Sequence, residues 1–205
     1  MPVQTIPEIP GLSMYPEFIG PDEQTALMAT LDGLPWSGLG VGPNPELKRR
    51  TQQRGCTFSF RYRKAITSTE PLPGWARDLV ARLAPLTTMK DALNSIIINE
   101  YQPGQGIMPH VDSLTAFGDT VFALSLLSPC VMTFDRVGST DSYPIVLEPR
   151  SLLVLTGPAR FGFRHGISKD LVETLGDRTI HRERRVSLTF RYIIPGPCKE
   201  EAACK

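Results

Sequence analysis

The segment Arg185-Val186-Ser187-Leu188-Thr189-Phe190-Arg191-Tyr192-Ile193-Ile194 alternates polar and apolar side chains, the period of a half-buried β-strand. Successive side chains on a strand leave opposite faces, so Arg185, Ser187, Thr189 and Arg191 share one side. Val186, Leu188, Phe190 and Tyr192 share the other. An isolated strand arginine is ordinarily solvated or paired with a surface carboxylate. Two arginines six residues apart, about 20 Å along a strand, can also lean inward and grip opposite ends of a small dicarboxylate.

A second strand shows the same economy. Ile96-Ile97-Ile98-Asn99-Glu100-Tyr101 is an apolar run that ends at the turn signal Pro103-Gly104. Asn99 and Tyr101 fall on one face near its end. Shortly afterwards come His110-x-Asp112 and, fifty-three positions beyond the aspartate, His165. Two imidazoles and one carboxylate can occupy one face of a metal and leave other positions open, the ligand set of non-haem Fe(II) oxygenases. His-x-Asp also recurs by chance in polar turns, so its weight comes from the two arginines and from Asn99 and Tyr101. Such an oxygenase needs electrons to activate oxygen, and a bound 2-oxo dicarboxylic acid is a common source.

The rest of the chain predicts a scaffold for such a site. A helix is expected from Pro21-Asp22, with Asp22 as N-cap, Leu27, Met28 and Leu31 as its apolar stripe and Gly33 closing it. A second is expected over residues 73–83, with Trp75, Leu79 and Leu83 on one face. Beyond Asp91 short strands follow at 121–127, 130–134, 145–147, 152–155, 161–165 and 185–194, punctuated by Gly, Pro, Ser and Asp. Helices first and strands later make the class α+β, with a two-sheet jelly roll whose mouth can hold a metal.

In order and spacing, Asn99-x-Tyr101, His110-x-Asp112, His165 and Arg185-x5-Arg191 resemble the signature of the AlkB family of Fe(II)/2-oxoglutarate dioxygenases. The resemblance covers about residues 96–193, including Pro103 to Pro109 before the first ligand and Arg150 to Gly157 before the last. Ser113-x-x-Ala116-Phe117-x-Asp119 is similar to the branch containing transfer-RNA wobble-uridine hydroxylases. The resemblance implies that His110, Asp112 and His165 hold Fe(II). It implies that Arg185, with Tyr101 and Ser187, binds the distal carboxylate of 2-oxoglutarate. Arg191 and Asn99 would orient the carboxylate beside the keto group, Arg191 also steadying Asp112. The implied reaction turns 2-oxoglutarate into succinate and hydroxylates a substrate C–H bond, which becomes demethylation when that carbon sits on nitrogen. As one domain, residues 1–90 would supply helices and a substrate lid, 91–195 the jelly roll and 196–205 a tail.

Residues 43–63 correspond in position to the family's variable lid. Lys48, Arg49, Arg50, Arg54, Arg61 and Arg63 with Phe58 and Phe60 interleaved suit phosphates and stacked bases. They suit equally a solvated basic loop whose two phenylalanines enter the core. Trp36 reads as an N-terminal core anchor and His181 as a surface histidine. Members that repair methylated adenine or cytosine usually carry an acidic base-reading residue where this chain has Leu114, which argues against alkylated DNA. In the wobble-uridine branch that position is a histidine joining three tail cysteines on zinc. Here Cys198 and Cys204 flank Glu200, too few thiols for a zinc site.

A chain of 205 residues with formal net charge +1 suits one domain and leaves nucleic-acid binding to local patches. The four cysteines show no disulfide framework, and Met1-Pro2-Val3-Gln4 lacks the basic and apolar runs of a leader. These features point to the cytosol or nucleus, with no membrane partner. Modified RNA, transfer RNA in particular, is the favoured substrate over alkylated DNA, with selection resting on the lid or an accessory protein. The other readings are a protein-directed dioxygenase, such as a methyl-lysine demethylase, and a metal-binding regulatory module without turnover.

Overall fold

The structure, a computed structural model, describes residues 3–42, 45–59, 71–194 and the backbone of 64–66. Along the chain lie β1 (Gln4–Thr5), β2 (Leu12–Tyr15), α1 (Pro21–Asp32), β3 (Thr51–Gly55), β4 (Thr57–Ser59), β5 (Lys64–Ile66) and α2 (Gly74–Leu83). A single 3-10 turn (Ala84–Leu86) leads to β6 (Ser95–Tyr101), β7 (Ile107–His110), β8 (Val121–Leu126), β9 (Cys130–Arg136), β10 (Ser142–Leu147) and β11 (Leu152–Leu155). Then follow α3 (Gly157–Phe161), β12 (Phe163–Ile167), β13 (Val172–Leu175), β14 (Arg178–His181) and β15 (Arg185–Arg191).

The alternating segment becomes β15, and it lies inside a seven-stranded sheet of order β1-β2-β11-β8-β15-β6-β3. A four-stranded sheet of order β10-β9-β12-β7 faces it. Alternation sorts the side chains between two layers. Ile96, Ile98, Phe122, Leu124, Leu152, Val186, Leu188 and Phe190 pack outward against Leu27, Met28 and Leu31 of α1 and Ala76, Leu79 and Leu83 of α2. From the other face Tyr101, Val121, Ala123, Leu153 and Leu155 meet Cys130, Met132, Phe134, Leu147, Phe163 and Ile167. The result is the α+β jelly roll that the pattern predicts.

Several boundaries differ from the sequence reading. Gly20, not Asp22, is the N-cap of α1, because Pro21 occupies the first helical position that its fixed φ suits. Asp22 and Glu23 instead lie in the first turn, where the helix dipole favours negative charge. The sheet also reaches into the first ninety residues: β2 pairs with β11, and β3 pairs with β6. Residues 51–55 of the expected lid are therefore part of the scaffold. The β13-β14 hairpin was not among the expected strands, although Gly176-Asp177 between them is a two-residue turn signal. Gly157–Phe161 is a short helix, so the strand bearing His165 starts at Phe163. Among the described residues no helix is long and apolar enough to cross a membrane.

One polar network ties these parts together. Glu100 is buried on β6, where its carboxylate accepts hydrogen bonds from Arg50 and from Arg184, and Arg184 also reaches Asp32 at the end of α1. Burial alone would push the Glu100 pKa up; the bonds from Arg50 and Arg184 outweigh it and hold the carboxyl below its ordinary value. A depressed carboxylate stabilises the fold fully above the unfolded glutamate value, about pH 4.3, and loses that contribution as pH falls through the folded value. Glu100→Gln is expected to cost about 2 kcal/mol at pH 7 and to make stability less sensitive to acid, as measured by urea unfolding at pH 7 and pH 4. Parallel pH dependence in parent and variant would show that the carboxylate is not the source.

Candidate active site

Between the two sheets the inner faces of β6 and β15 meet β7 and β12 around a cavity of about 590 Å³. Asn99, Tyr101, His110, Asp112, His165, Arg185, Ser187 and Arg191 all line it. Cross-strand pairing explains the meeting. Arg185 lies opposite Tyr101 and Ser187 opposite Asn99 across β15 and β6, while His165 lies opposite His110 across β12 and β7.

The imidazole rings of His110 and His165 stand 4.5 Å apart between centroids. Nδ1 of His110 is 2.9 Å from the Met108 carbonyl, so that nitrogen donates and Nε2 remains an electron-pair donor. Burial pushes the His165 pKa down to about 4, and its Nδ1 is buried without a hydrogen-bond partner. His165 is therefore neutral near pH 7, the form that ligates metals.

Asp112 departs from the simple strand reading, since β7 ends at His110 and the aspartate lies in the loop that follows. Its position comes from distant arginines instead. Arg191 Nη1 donates to Asp112 Oδ1 at 3.2 Å. The buried guanidinium of Arg160 donates to the carbonyls of Asp112, Ser113, Phe117 and Gly118 at 2.9, 2.8, 3.5 and 3.2 Å. Burial would raise the Asp112 pKa, but the charge of Arg191, with His165, His110 and Arg160, holds the carboxyl below its usual range. Among the described residues no three His, Cys, Asp or Glu side chains form a finished metal cluster. His110, Asp112 and His165 nevertheless line the same cavity.

The arginine face carries unmatched donors. Arg185 is 1% exposed, yet only its Nη2 is bonded, to Ser125 Oγ at 2.8 Å; Nε and Nη1 are buried without partners. Its guanidinium lies 5.4 Å from the Tyr101 ring centroid. Arg191 Nε is also buried and unpartnered. Buried cationic donors without acceptors are costly, and a carboxylate entering the cavity would satisfy them. The loop before β7 lies tightly against the strand of His165, because a Cβ on Gly106 would stand 2.3 Å from the Ile167 carbonyl oxygen.

The basic lid is divided by the structure. Arg50 is engaged by Glu100 and lies over Trp36, 5.1 Å from its ring centroid, clamping the lid to β6. Arg54 donates to Gln52 and to the Gln53 carbonyl. Arg49 enters the cavity wall, and Lys48 alone of these four is exposed. Phe58 is buried against Phe117, 5.0 Å between ring centroids, and still lines the cavity. Leu114 stands at the rim, 61% exposed. His181 is exposed at the end of β14, as expected of a surface residue. Phe60, Arg61, Arg63, Cys198, Glu200 and Cys204 lie outside the described residues. Arg160 is the site residue that periodicity could not reveal, because its role is to collect carbonyls from a loop more than forty positions away.

Residues 11–191 match the 2OG-Fe(II) oxygenase superfamily, and the chain belongs to it, with Fe(II) and 2-oxoglutarate as the superfamily's metal and co-substrate. Within it the chain is of the AlkB type, near ALKBH8. It is 32% identical over 215 residues to the "Alkylated DNA repair protein ALKBH8 homolog" of Arabidopsis thaliana, covering 93% of this chain and 60% of that protein. The "tRNA (carboxymethyluridine(34)-5-O)-methyltransferase alkbh8" of Xenopus tropicalis is 30% identical, covering 92% of this chain and 32% of that protein. The chain thus spans between about a third and three-fifths of these relatives. The structure of OsALKBH1 superposes with a TM-score of 0.64 at 16% identity, covering 93% of this chain and 99% of that one, a likeness of fold.

Arg160→Met is expected to release the 112–118 loop, lowering stability by about 2–3 kcal/mol through unsatisfied buried carbonyls and speeding amide exchange in that loop. Hydrogen exchange and urea unfolding measure both. Unchanged protection of residues 112–118 would contradict the anchoring role.

Proposed function

We propose that this domain is an Fe(II)/2-oxoglutarate-dependent hydroxylase or demethylase acting on modified nucleic acid, with RNA, and transfer RNA in particular, favoured over alkylated DNA. The observation that carries the reading is the convergence of two histidines, an ionised aspartate and the unsatisfied donors of Arg185 on one cavity. In it His110, Asp112 and His165 hold Fe(II). Arg185, with Tyr101 and Ser187, takes the distal carboxylate, while Arg191 and Asn99 orient the keto-acid end.

When bound, the metal and co-substrate supply the oxidising chemistry, in which dioxygen is consumed, 2-oxoglutarate leaves as succinate and carbon dioxide, and one oxygen atom enters a substrate C–H bond. The protein's share is placement and exclusion of water. Arg191 keeps Asp112 anionic and fixed, and the buried walls of Ile97, Val121, Ala123 and Leu155 shield the interior. Leu114 at the rim offers no acceptor for the exocyclic amine of adenine or cytosine, which supports a substrate other than the alkylated bases of DNA. Relatives named for carboxymethyluridine in transfer RNA support the RNA reading. Cys56 and Cys130, both free thiols, are consistent with the proposed setting in cytosol or nucleus.

His110→Ala and Asp112→Ala are each expected to reduce succinate formation more than about 100-fold with the circular-dichroism spectrum retained. Arg185→Ala should weaken 2-oxoglutarate binding by about 3–5 kcal/mol, because removing one partner leaves a buried carboxylate uncompensated. Calorimetry checks this, and unaltered affinity would remove Arg185 from the co-substrate site. Substrate is tested by succinate release and mass spectrometry on modified transfer RNA, alkylated DNA oligonucleotides and methylated peptides. Product on transfer RNA supports the proposal; product confined to peptides overturns it.

A further inference from the structure

Arg49 belongs by sequence to the lid, yet its guanidinium is built into the cavity wall. Nε donates to Asn99 Oδ1 at 2.9 Å, and the guanidinium carbon lies 5.5 Å from the Tyr101 ring centroid. Its two terminal amino groups make no hydrogen bond to the described residues. Arg49 therefore spans the two residues that the proposed function assigns to opposite ends of 2-oxoglutarate. With Arg185 and Arg191 it places three guanidiniums around a cavity whose lining contains one carboxylate, Asp112. With a divalent cation added the lining carries a larger positive surplus, which favours an anionic co-substrate.

The bond to Asn99 has a directional consequence. A carboxamide presents an acceptor on one side and two donors on the other, and either could face the cavity. A guanidinium is donor-only, so Asn99 must turn its oxygen to Arg49. The Nδ2 donors are then left for an acceptor in the cavity. Without Arg49, half the orientations of Asn99 would offer oxygen to an incoming carboxylate, a repulsive contact.

The lid is firmly joined to this arrangement. The next residue, Arg50, is clamped to Glu100, and Ser37 and Thr51 exchange backbone hydrogen bonds at 2.7 and 2.8 Å. On the other side, Gln105 Nε2 donates to the Lys48 carbonyl at 3.0 Å. We infer that Arg49 is a positioning residue that orients Asn99 for the co-substrate and thereby couples the lid segment around residue 48 to 2-oxoglutarate binding. Coupling of this kind is reciprocal: whatever orders the lid tightens 2-oxoglutarate, and 2-oxoglutarate orders the lid. The inference rests on the assignment of Asn99 to the co-substrate site.

The test measures 2-oxoglutarate binding by calorimetry in the Mn(II)-loaded protein without turnover. Arg49→Met keeps the stem and removes the donors, and is expected to weaken binding about tenfold, the worth of one charged hydrogen bond. Arg49→Lys, also donor-only, should recover most of the loss. In an Asn99→Ala background, Arg49→Met should change affinity less than about twofold, since its effect passes through Asn99. Tryptic cleavage after Lys48 should slow on adding 2-oxoglutarate to the parent and not to Arg49→Met. Parent affinity in Arg49→Met, or full losses in both backgrounds, would overturn the inference. Failure of the parent itself to bind 2-oxoglutarate would instead overturn the co-substrate site.

Discussion

A guanidinium in a protein interior must find acceptors, because its charge cannot be shed at any ordinary pH. Among the described residues four arginines are buried: Arg160, Arg182, Arg185 and Arg191. Three find them within the fold. Arg160 collects loop carbonyls, Arg182 pairs with buried Glu173, and Arg191 pairs with Asp112. Arg185 meets only the hydroxyl of Ser125 and the face of Tyr101. Its surplus charge distinguishes a binding site from a structural ion pair, and the position of every other group in the cavity gains meaning from it.

The fold can hold such a group because the seven-stranded sheet is covered on both faces. One face is packed by α1 and α2 and contributes cohesion; the other closes over the cavity and contributes chemistry. Alternation along β15 makes both from one seven-residue strand. Substitution of Leu188 and of Ser187 would thus act on different layers, although the residues are adjacent.

Around this core the segments without regular structure are fixed by polar anchors. Arg160 holds the loop that carries Asp112, and Gly106 lets the preceding loop lie against the strand of His165. Glu173 receives the Val131 N–H and pairs with Arg182, which in turn donates to the Gln105 carbonyl, joining the β13-β14 hairpin to the same neighbourhood. Cations line the interior, while Leu114 and Met108 stand exposed nearby, 61% and 78%. The rim is where a substrate would first be met, and it is chemically unlike the interior.

By itself the sequence determined the layers and the site's membership. Period-two alternation in residues 185–191 and the apolar run before Asn99 settle which side chains face inward, because a strand allows only two directions. Six of the eight cavity residues singled out were legible for that reason: Asn99 and Tyr101 on β6, Arg185, Ser187 and Arg191 on β15, and His110 at the end of β7. Tertiary structure alone decided the rest. Asp112 sits beyond its strand, where local geometry leaves its direction open until Arg160 and Arg191 arrive from 48 and 79 positions away. Arg49 and Arg50 are neighbours of one charge and similar shape, yet one enters the cavity and the other grips Glu100. No local rule separates them: the distinction is made by which acceptor the packed sheet presents to each.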